Sequence, residues 1–467
     1  MGTSLEKQRA TSAIKRQIAD NKHATKVLNY QNTNLKSSTD RKQGWQVPGP
    51  AARDLSTRDR QKAMTMARQK VEENPITQAL VNARLDNIVG CGHRLRMLSG
   101  DDAWDTEVED WWLLERDRLD IRGIRPWGEL TRMWQARHEI DGDVGIALLG
   151  QKFKDRPLSY VQTWEADHIT MGTNKPDDTG ITFDEFGMPV KYFVKTDPKN
   201  AKEKAKSYPR ENFILYLCDN TYRAHRARGV TLFLQTFNYL EDHEETMNGI
   251  IQKVKNESFQ GIKYTMKGEN PLGLDDPADG STDYRKVKMQ AGLNLMLGEG
   301  EDAEVLEGKT PHANFDEHEK KLISRIALPF GFTYELLTGD YSKLNDRTAR
   351  VMLKQFEKRM RHDQKKLSMI ESRVFRWALS RAIKGKVLTP PEELKRWFNH
   401  KWGYPGFPYI NVKQAAEANA INLSNNLTSE VKILSEEGDE EFNELMEDRK
   451  YAREVMDDNG IVDGDSA

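Results

Sequence analysis

The densest cluster of chemically capable side chains in this chain is His138-Glu139-Ile140-Asp141-Gly142-Asp143. One imidazole and three carboxylates within six residues could hold a divalent cation and activate a water for hydrolysis, the chemistry of a metal-dependent nuclease or hydrolase. The spacing does not reproduce His-Glu-x-x-His, which sets two imidazoles on one helical face, and the glycine does not fit a calcium-binding EF-hand loop. The structural alternative is a helix end, a turn at Asp141-Gly142, and a strand from residue 144 to 149. Cys91-Gly92-His93 offers half of a zinc site, but zinc needs four ligands, or three and a water, and no second Cys/His pair follows. No Gly-Lys-Ser/Thr phosphate loop and no Gly-x-Ser-x-Gly elbow occurs, so the sequence supplies no ATPase or esterase signature. No metal and no cofactor is expected, and the chain reads as a non-enzyme.

Two features point to polyanions instead. Trp397, Phe398, Trp402, Tyr404, Phe407 and Tyr409 could stack the bases of a single strand. Their neighbours Pro391, Gly403, Pro405 and Pro408 favour a packed, extended return strand. The segment 341–386 carries about ten excess positive charges, residues 1–42 about six, and residues 430–467 about ten excess negatives. A solvated helix face and a solubilising tail would explain that pattern. So would head-to-tail packing of subunits, or a surface turned toward a polyanion.

The elements that position these residues follow from periodicity. Helices are expected over 54–70, 75–88, 104–119 and 126–140, with Pro126 in the first turn of the last. Short β-like runs occupy 144–149, 159–164, 180–183, 189–196 and 213–218, with a hairpin turn at Asp184–Gly187. Helix resumes over 232–259, where Phe233, Phe237, Leu240, Met247, Ile251 and Val254 share a face. Short strands are expected at 262–266, 286–290, 293–297 and 303–307. A helix capped by Asn314 should stop near Pro329 and Gly331. A long helix from Arg347 to Lys384 then keeps Met352, Phe356, Met360, Leu367, Ile370, Val374 and Trp377 on one stripe. It would be a rod of roughly 55 Å. A last polar helix starts near Asn411.

At 467 residues, with nearly a third of them charged and a strongly negative mean hydropathy, the chain predicts more than one structural unit. No run of about 18 apolar residues occurs, which predicts no membrane span. Two cysteines, Cys91 and Cys218, do not build a disulfide framework and fit a reducing compartment.

The ordered motifs carry a resemblance. Ile326-Ala327, then Gly331-Phe332-Thr333-Tyr334-Glu335-Leu336-Leu337, precede a loop and a long helix, as in the portal proteins of lambda-type bacteriophages. Asn87-Ile-Val-Gly-Cys-Gly92, Asp141-Gly-Asp-Val144, Gly180-Ile-Thr-Phe-Asp184, Gly187-Met-Pro-Val-Lys-Tyr192, Arg226-Ala-Arg-Gly-Val230 and Trp402-Gly-Tyr-Pro-Gly-Phe407 resemble that family's landmarks in order. The ordered set, over roughly residues 60–455, is what resembles the family; no one motif does so alone.

The resemblance implies an α+β, mainly helical portal fold that assembles as a ring. By position, residues 1–70 are a basic N-terminal arm and first helix. The wing is 71–231, a stem helix 232–259, the strand-rich clip 260–312, and a second stem helix 313–330. The tunnel loop is 331–346, the long tunnel helix 347–386, a wing return segment 387–412, and the helical crown with its acidic tail 413–467. The implied partners are a homo-oligomeric ring, dodecameric in the virion, the terminase large subunit, head-completion and tail proteins, and a major capsid or scaffold protein. Double-stranded DNA would pass through without sequence specificity. The implied location is one capsid vertex of the virion, after assembly in the host cytoplasm. Tyr341, Ser342, Lys343, Leu344 and Asn345 are implied to face DNA. Arg350, Leu240 and Met247 are the candidates for subunit contacts. Where the family reads Tyr-Ser-Ser-x-Arg, this chain reads Asn345-Asp-Arg-Thr-Ala-Arg350: the arginine is kept and the hydroxyl run is lost.

Overall fold

The computed structural model describes residues 57–153, 156–172, 178–198, 200, 202–219, 226–258, 261–266, 301–306, 315–342, 344–391, 396–407, 412–430, 433 and 449–450. The expected strands at 286–290 and 293–297 and the Asn314 cap lie outside them. The fold mixes helix and strand and divides into two compact units, one of residues 1–238 with 324–467 and one of residues 239–323.

In the larger unit, α1 (Thr57–Glu73) and α2 (Pro75–Ile88) are separated by Asn74, whose side chain caps α2 by accepting from the Ile76 N–H. Strand β1 (Arg94–Met97) precedes α3 (Asp102–Arg116) and α4 (Trp127–Ile140). Pro126 takes the cap position before α4 rather than its first turn. The helix ends because Gly142 follows at φ +94°, in the left-handed region, where an added Cβ would stand 2.6 Å from the Val230 backbone.

Strands β2 (Asp143–Phe153), β3 (Arg156–Glu165) and β7 (Phe213–Leu217) form one antiparallel sheet in the order β3-β2-β7. A second antiparallel sheet runs β4 (Ile181–Phe183), β5 (Pro189–Val194), β6 (Lys206–Pro209). The expected turn at Asp184–Gly187 joins β4 to β5, with the Asp184 N–H donating to Met188 O. Ala147, Ile169, Ile181, Tyr192, Val194, Tyr208 and Phe213 form one buried cluster spanning the two sheets.

The short helix α7 (Tyr334–Thr338) and the 39-residue α8 (Asp346–Lys384) return to this unit. Along α8, Phe356, Met360, Leu367 and Val374 of the expected stripe are buried, while Met352, Ile370 and Trp377 are half-buried. Phe375 and Ala378 are buried as well. The aromatic stretch proves to be the packed return strand: β10 (His400–Gly403) pairs antiparallel with β1. Trp402 stacks on Trp127 with ring centres 6.2 Å apart, and Trp112 meets Phe375 edge-on at 5.2 Å. Tyr409 lies outside the described residues. After it comes α9 (Val412–Ser424).

The smaller unit holds most of α5 (Phe237–Ser258), the antiparallel pair β8 (Gly261–Met266) and β9 (Glu301–Leu306), and the first part of α6 (Phe315–Ala327). The helix expected from residue 232 begins instead as a 3-10 turn over Leu232–Gln235, and α5 follows it. Burial falls along α5: Leu240 is fully buried and Met247 half-buried, while Ile251 and Val254 are exposed. No helix among the described residues is long and apolar enough to cross a membrane.

Candidate functional site

The run 138–143 does not converge on a common point. Each of its carboxylates is engaged by a different arginine. Glu139 Oε1 accepts from Arg84 Nε at 2.9 Å and from Gln135 Nε2 at 2.6 Å. Asp141 takes both nitrogens of an Arg68 fork at 2.8 and 2.7 Å, and Arg68 also reaches Glu165 and Asp167. Asp143 takes an Arg228 fork at 2.6 and 2.8 Å and accepts from the Gly229 N–H at 3.0 Å. The remaining donors of Arg228 close on the carbonyls of Ala166, Ile169 and Thr179.

Burial pushes the Asp143 carboxyl up, but the charge and hydrogen bonds of Arg228, with Arg60 behind it, outweigh that and hold it below the usual range. His138 lies flat on Tyr216, ring centres 3.9 Å apart, and burial lowers its pKa to about 3. The buried ring is neutral near pH 7, and among the described residues no group of three or more His, Cys, Asp or Glu side chains is placed to hold a metal ion. The nuclease reading is therefore corrected: helix end, turn and strand point successive side chains at separate guanidiniums, and each carboxylate is spent on one. The half zinc motif is corrected in the same way. Cys91 is exposed, whereas His93 is buried between Glu371 (Nδ1 to Oε2 2.6 Å) and the Ile88 carbonyl (Nε2 to O 2.7 Å).

These clamps escape a reading of the sequence. Arg84 does leave a signal: it sits on α2 among Leu80, Val81, Leu85 and Ile88, a cation in a buried stripe. Its Nη2 donates to Asp363 at 2.7 Å and its Nη1 to the Phe330 carbonyl at 2.7 Å. The loop 331–345 is thereby anchored on both sides, since Phe330 precedes it and Asp363 lies on α8 after it. Gly331, at φ +84°, makes the first turn beyond Phe330.

Between these anchors Phe332 is buried and residues 333–337 are half-buried, while from Thr338 to Asn345 the described residues are exposed except the half-buried Leu344. Thr333 caps α7, Gly339 closes it at φ +73°, and the Ser342 hydroxyl donates to Asp340 at 2.6 Å. Tyr341 is exposed, and Leu344 donates its N–H to Tyr341 O at 3.1 Å. Asn345 caps α8, accepting from the Thr348 N–H at 2.8 Å and the Thr348 hydroxyl at 2.7 Å. Lys343 lies outside the described residues. Arg350 pairs one turn back with Asp346 at 2.8 Å.

Beyond the cap, Arg347, Lys354, Lys358, Lys365 and Arg376 are exposed on α8. At 100° per residue they fall within about 20° of one line, opposite the buried stripe. Arg361, about 40° off that line, lies 2.8 Å from Glu357 and over the Phe407 ring. This face is a line of cations able to meet phosphates without reading bases, and the described charged residues of the loop that leads to it, Glu335 and Asp340, are acidic.

A family described as phage portal protein, lambda family, matches residues 38–364. A probable portal protein of Halomonas phage phiHAP-1 is 23% identical over 374 residues, covering 75% of this chain and 70% of that protein. Among solved structures, a chain from the neck of a native gene transfer agent particle, computed with C12 symmetry, is 13% identical. Its TM-score is 0.47, with 81% of this chain and 92% of that one covered. A chain from the neck of the empty particle, computed with C6 symmetry, is also 13% identical, with TM-score 0.49 and coverage of 79% and 91%.

Proposed function

The chain belongs to the lambda family of phage portal proteins, and on that premise we propose that it is the subunit of a dodecameric ring at one capsid vertex. Double-stranded DNA passes through the ring's channel during packaging and ejection. The terminase large subunit docks on the ring first, head-completion and tail proteins later, and a major capsid or scaffold protein surrounds it. In this reading residues 71–231 with 387–412 are the wing, 232–259 and 313–330 the stem, and 260–312 the clip. Residues 331–346 are the tunnel loop, 347–386 the tunnel helix and 413–467 the crown.

The observation that carries the site assignment is the anchored loop at the head of α8. From Thr338 onward it is polar and largely exposed, and it leads into a line of cations on a helix that Arg84 holds through Asp363. Every cation on that face is multiplied by the number of subunits in a ring. The resulting belt attracts DNA weakly and without sequence preference, which translocation requires. Along α5, the exposed Ile251 and Val254 leave apolar surface for a neighbouring copy to cover.

Electron microscopy of the purified chain tests this reading. Rings with a central hole wide enough for duplex DNA are expected; a population of compact monomers or dimers at every concentration would defeat it.

A further inference from the structure

The four carboxylates of α8 are already occupied. Asp346 pairs with Arg350 at 2.8 Å and Glu357 with Arg361 at 2.8 Å. Asp363 is held by Arg84 at 2.7 Å, and Glu371 lies 2.6 Å from His93. None of them serves Lys354, Lys358 or Lys365, which stand exposed one or two turns apart on one face. Among the described residues no ion pair to these three lysines occurs. The repulsion along this face is therefore met by solvent alone unless another segment covers it.

The same sequence carries the complement. Residues 434–467 hold about ten more acidic than basic groups, led by Glu436, Glu437, Asp439, Glu440, Glu441, Glu444, Glu447 and Asp448. That matches the excess on 341–386 in size and opposes it in sign. At about 3.3 Å per extended residue the segment outreaches the whole length of α8. We propose that the acidic segment 434–467 docks on the exposed basic face of α8, of its own chain or of an adjacent copy, and occupies it in the absence of DNA. The inference rests on the reading of that face as DNA-facing. Phosphates and tail carboxylates then compete for the same lysines. With a Debye length near 10 Å at 0.1 M salt, both contacts weaken as salt rises.

Carbodiimide cross-linking of the full-length protein, read by mass spectrometry, tests the docking, because it joins only lysines and carboxylates in direct contact. Links from residues 434–467 to Lys354, Lys358 or Lys365 are expected at 0.1 M salt, with at least a fivefold loss at 0.5 M. Absence of those links, or equal links to Lys62 and Lys206 on other elements, overturns the proposal. A second variant keeps the chain length and replaces Glu436, Glu437, Glu440 and Glu441 by Gln and Asp439 by Asn. It should bind a 40-base-pair mixed-sequence duplex about tenfold more tightly at 0.1 M salt. If the links form and this affinity does not change, the docking stands and the DNA-facing reading of α8 is what falls. If affinity rises without the links, the docking falls and the DNA-facing reading remains.

Discussion

Arg84 Nη2 lies 2.7 Å from the carboxylate of Asp363, residues 279 positions apart in the chain. The same guanidinium holds Glu139 and the Phe330 carbonyl, so one side chain ties α2, α4, α8 and the start of the exposed loop. Burial of Arg84 opposes its charge, and the two carboxylates more than restore it.

Removing that guanidinium should be costly. Arg84→Met leaves buried Glu139 with only Gln135 and Asp363 with only Arg359 and Lys366 at 3.8 Å, a loss of about 3–5 kcal/mol. The triple variant Arg84→Met, Glu139→Gln, Asp363→Leu should recover much of it, since apolar replacement of a buried ion network is often neutral. Thermal melting of both variants checks the order. A single variant that melts like the wild type would show that the network is dispensable.

Two buried histidines should act oppositely on pH stability. His138 titrates near 3 in the fold and near 6.5 when unfolded. Between those values only the unfolded chain takes up the proton, so stability falls as pH drops, by up to about 1.4 kcal/mol per unit. His138→Phe should flatten that acid limb. For His93, burial pulls the pKa down, but Glu371 outweighs it and the pKa is raised. Its contribution is full below about 6.5 and is lost as pH rises through the raised value. The destabilisation by His93→Gln should therefore shrink toward alkaline pH. Denaturation midpoints from pH 4 to 9 distinguish the two behaviours.

The two stem candidates should separate by burial. Leu240 is fully buried in a single chain, so Leu240→Asp should lower the melting temperature of the unassembled chain, by roughly 2–5 kcal/mol of stability. Met247 is only half-buried, so Met247→Asp should spare the monomer and reduce ring yield. Light scattering alongside calorimetry reads both; normal rings from Met247→Asp would remove it from the interface.

Loop and helix head should also divide their roles. The Arg350–Asp346 pair is exposed and contributes under about 0.5 kcal/mol within the chain. Arg350→Ala should thus leave the monomer melt unchanged and impair assembly first. Lys343→Ala should assemble normally and alter packaging rate or DNA retention. Equal assembly defects in the two variants would refute this division.

Local rules make much of this molecule legible in its sequence alone. The 3.6 period locates the long helix to within a residue at its start, because a 39-residue amphipathic stripe leaves little ambiguity. Asp184-Glu-Phe-Gly187 and Gly331 mark boundaries through turn chemistry that depends on neighbours in sequence alone. The order of motifs identifies the family. Strands β1 and β6 leave no such trace: four residues of each give no period to read, and β1 becomes a strand only because β10 arrives from about 300 residues away. The run 138–143 resembles a metal site for a related reason. Types and spacing reveal which groups could coordinate, while Arg68, Arg84 and Arg228, which neutralise them, come from distant segments. Only the tertiary structure decides that these carboxylates are structural, because the free energy of a buried charge is set by what surrounds it in space.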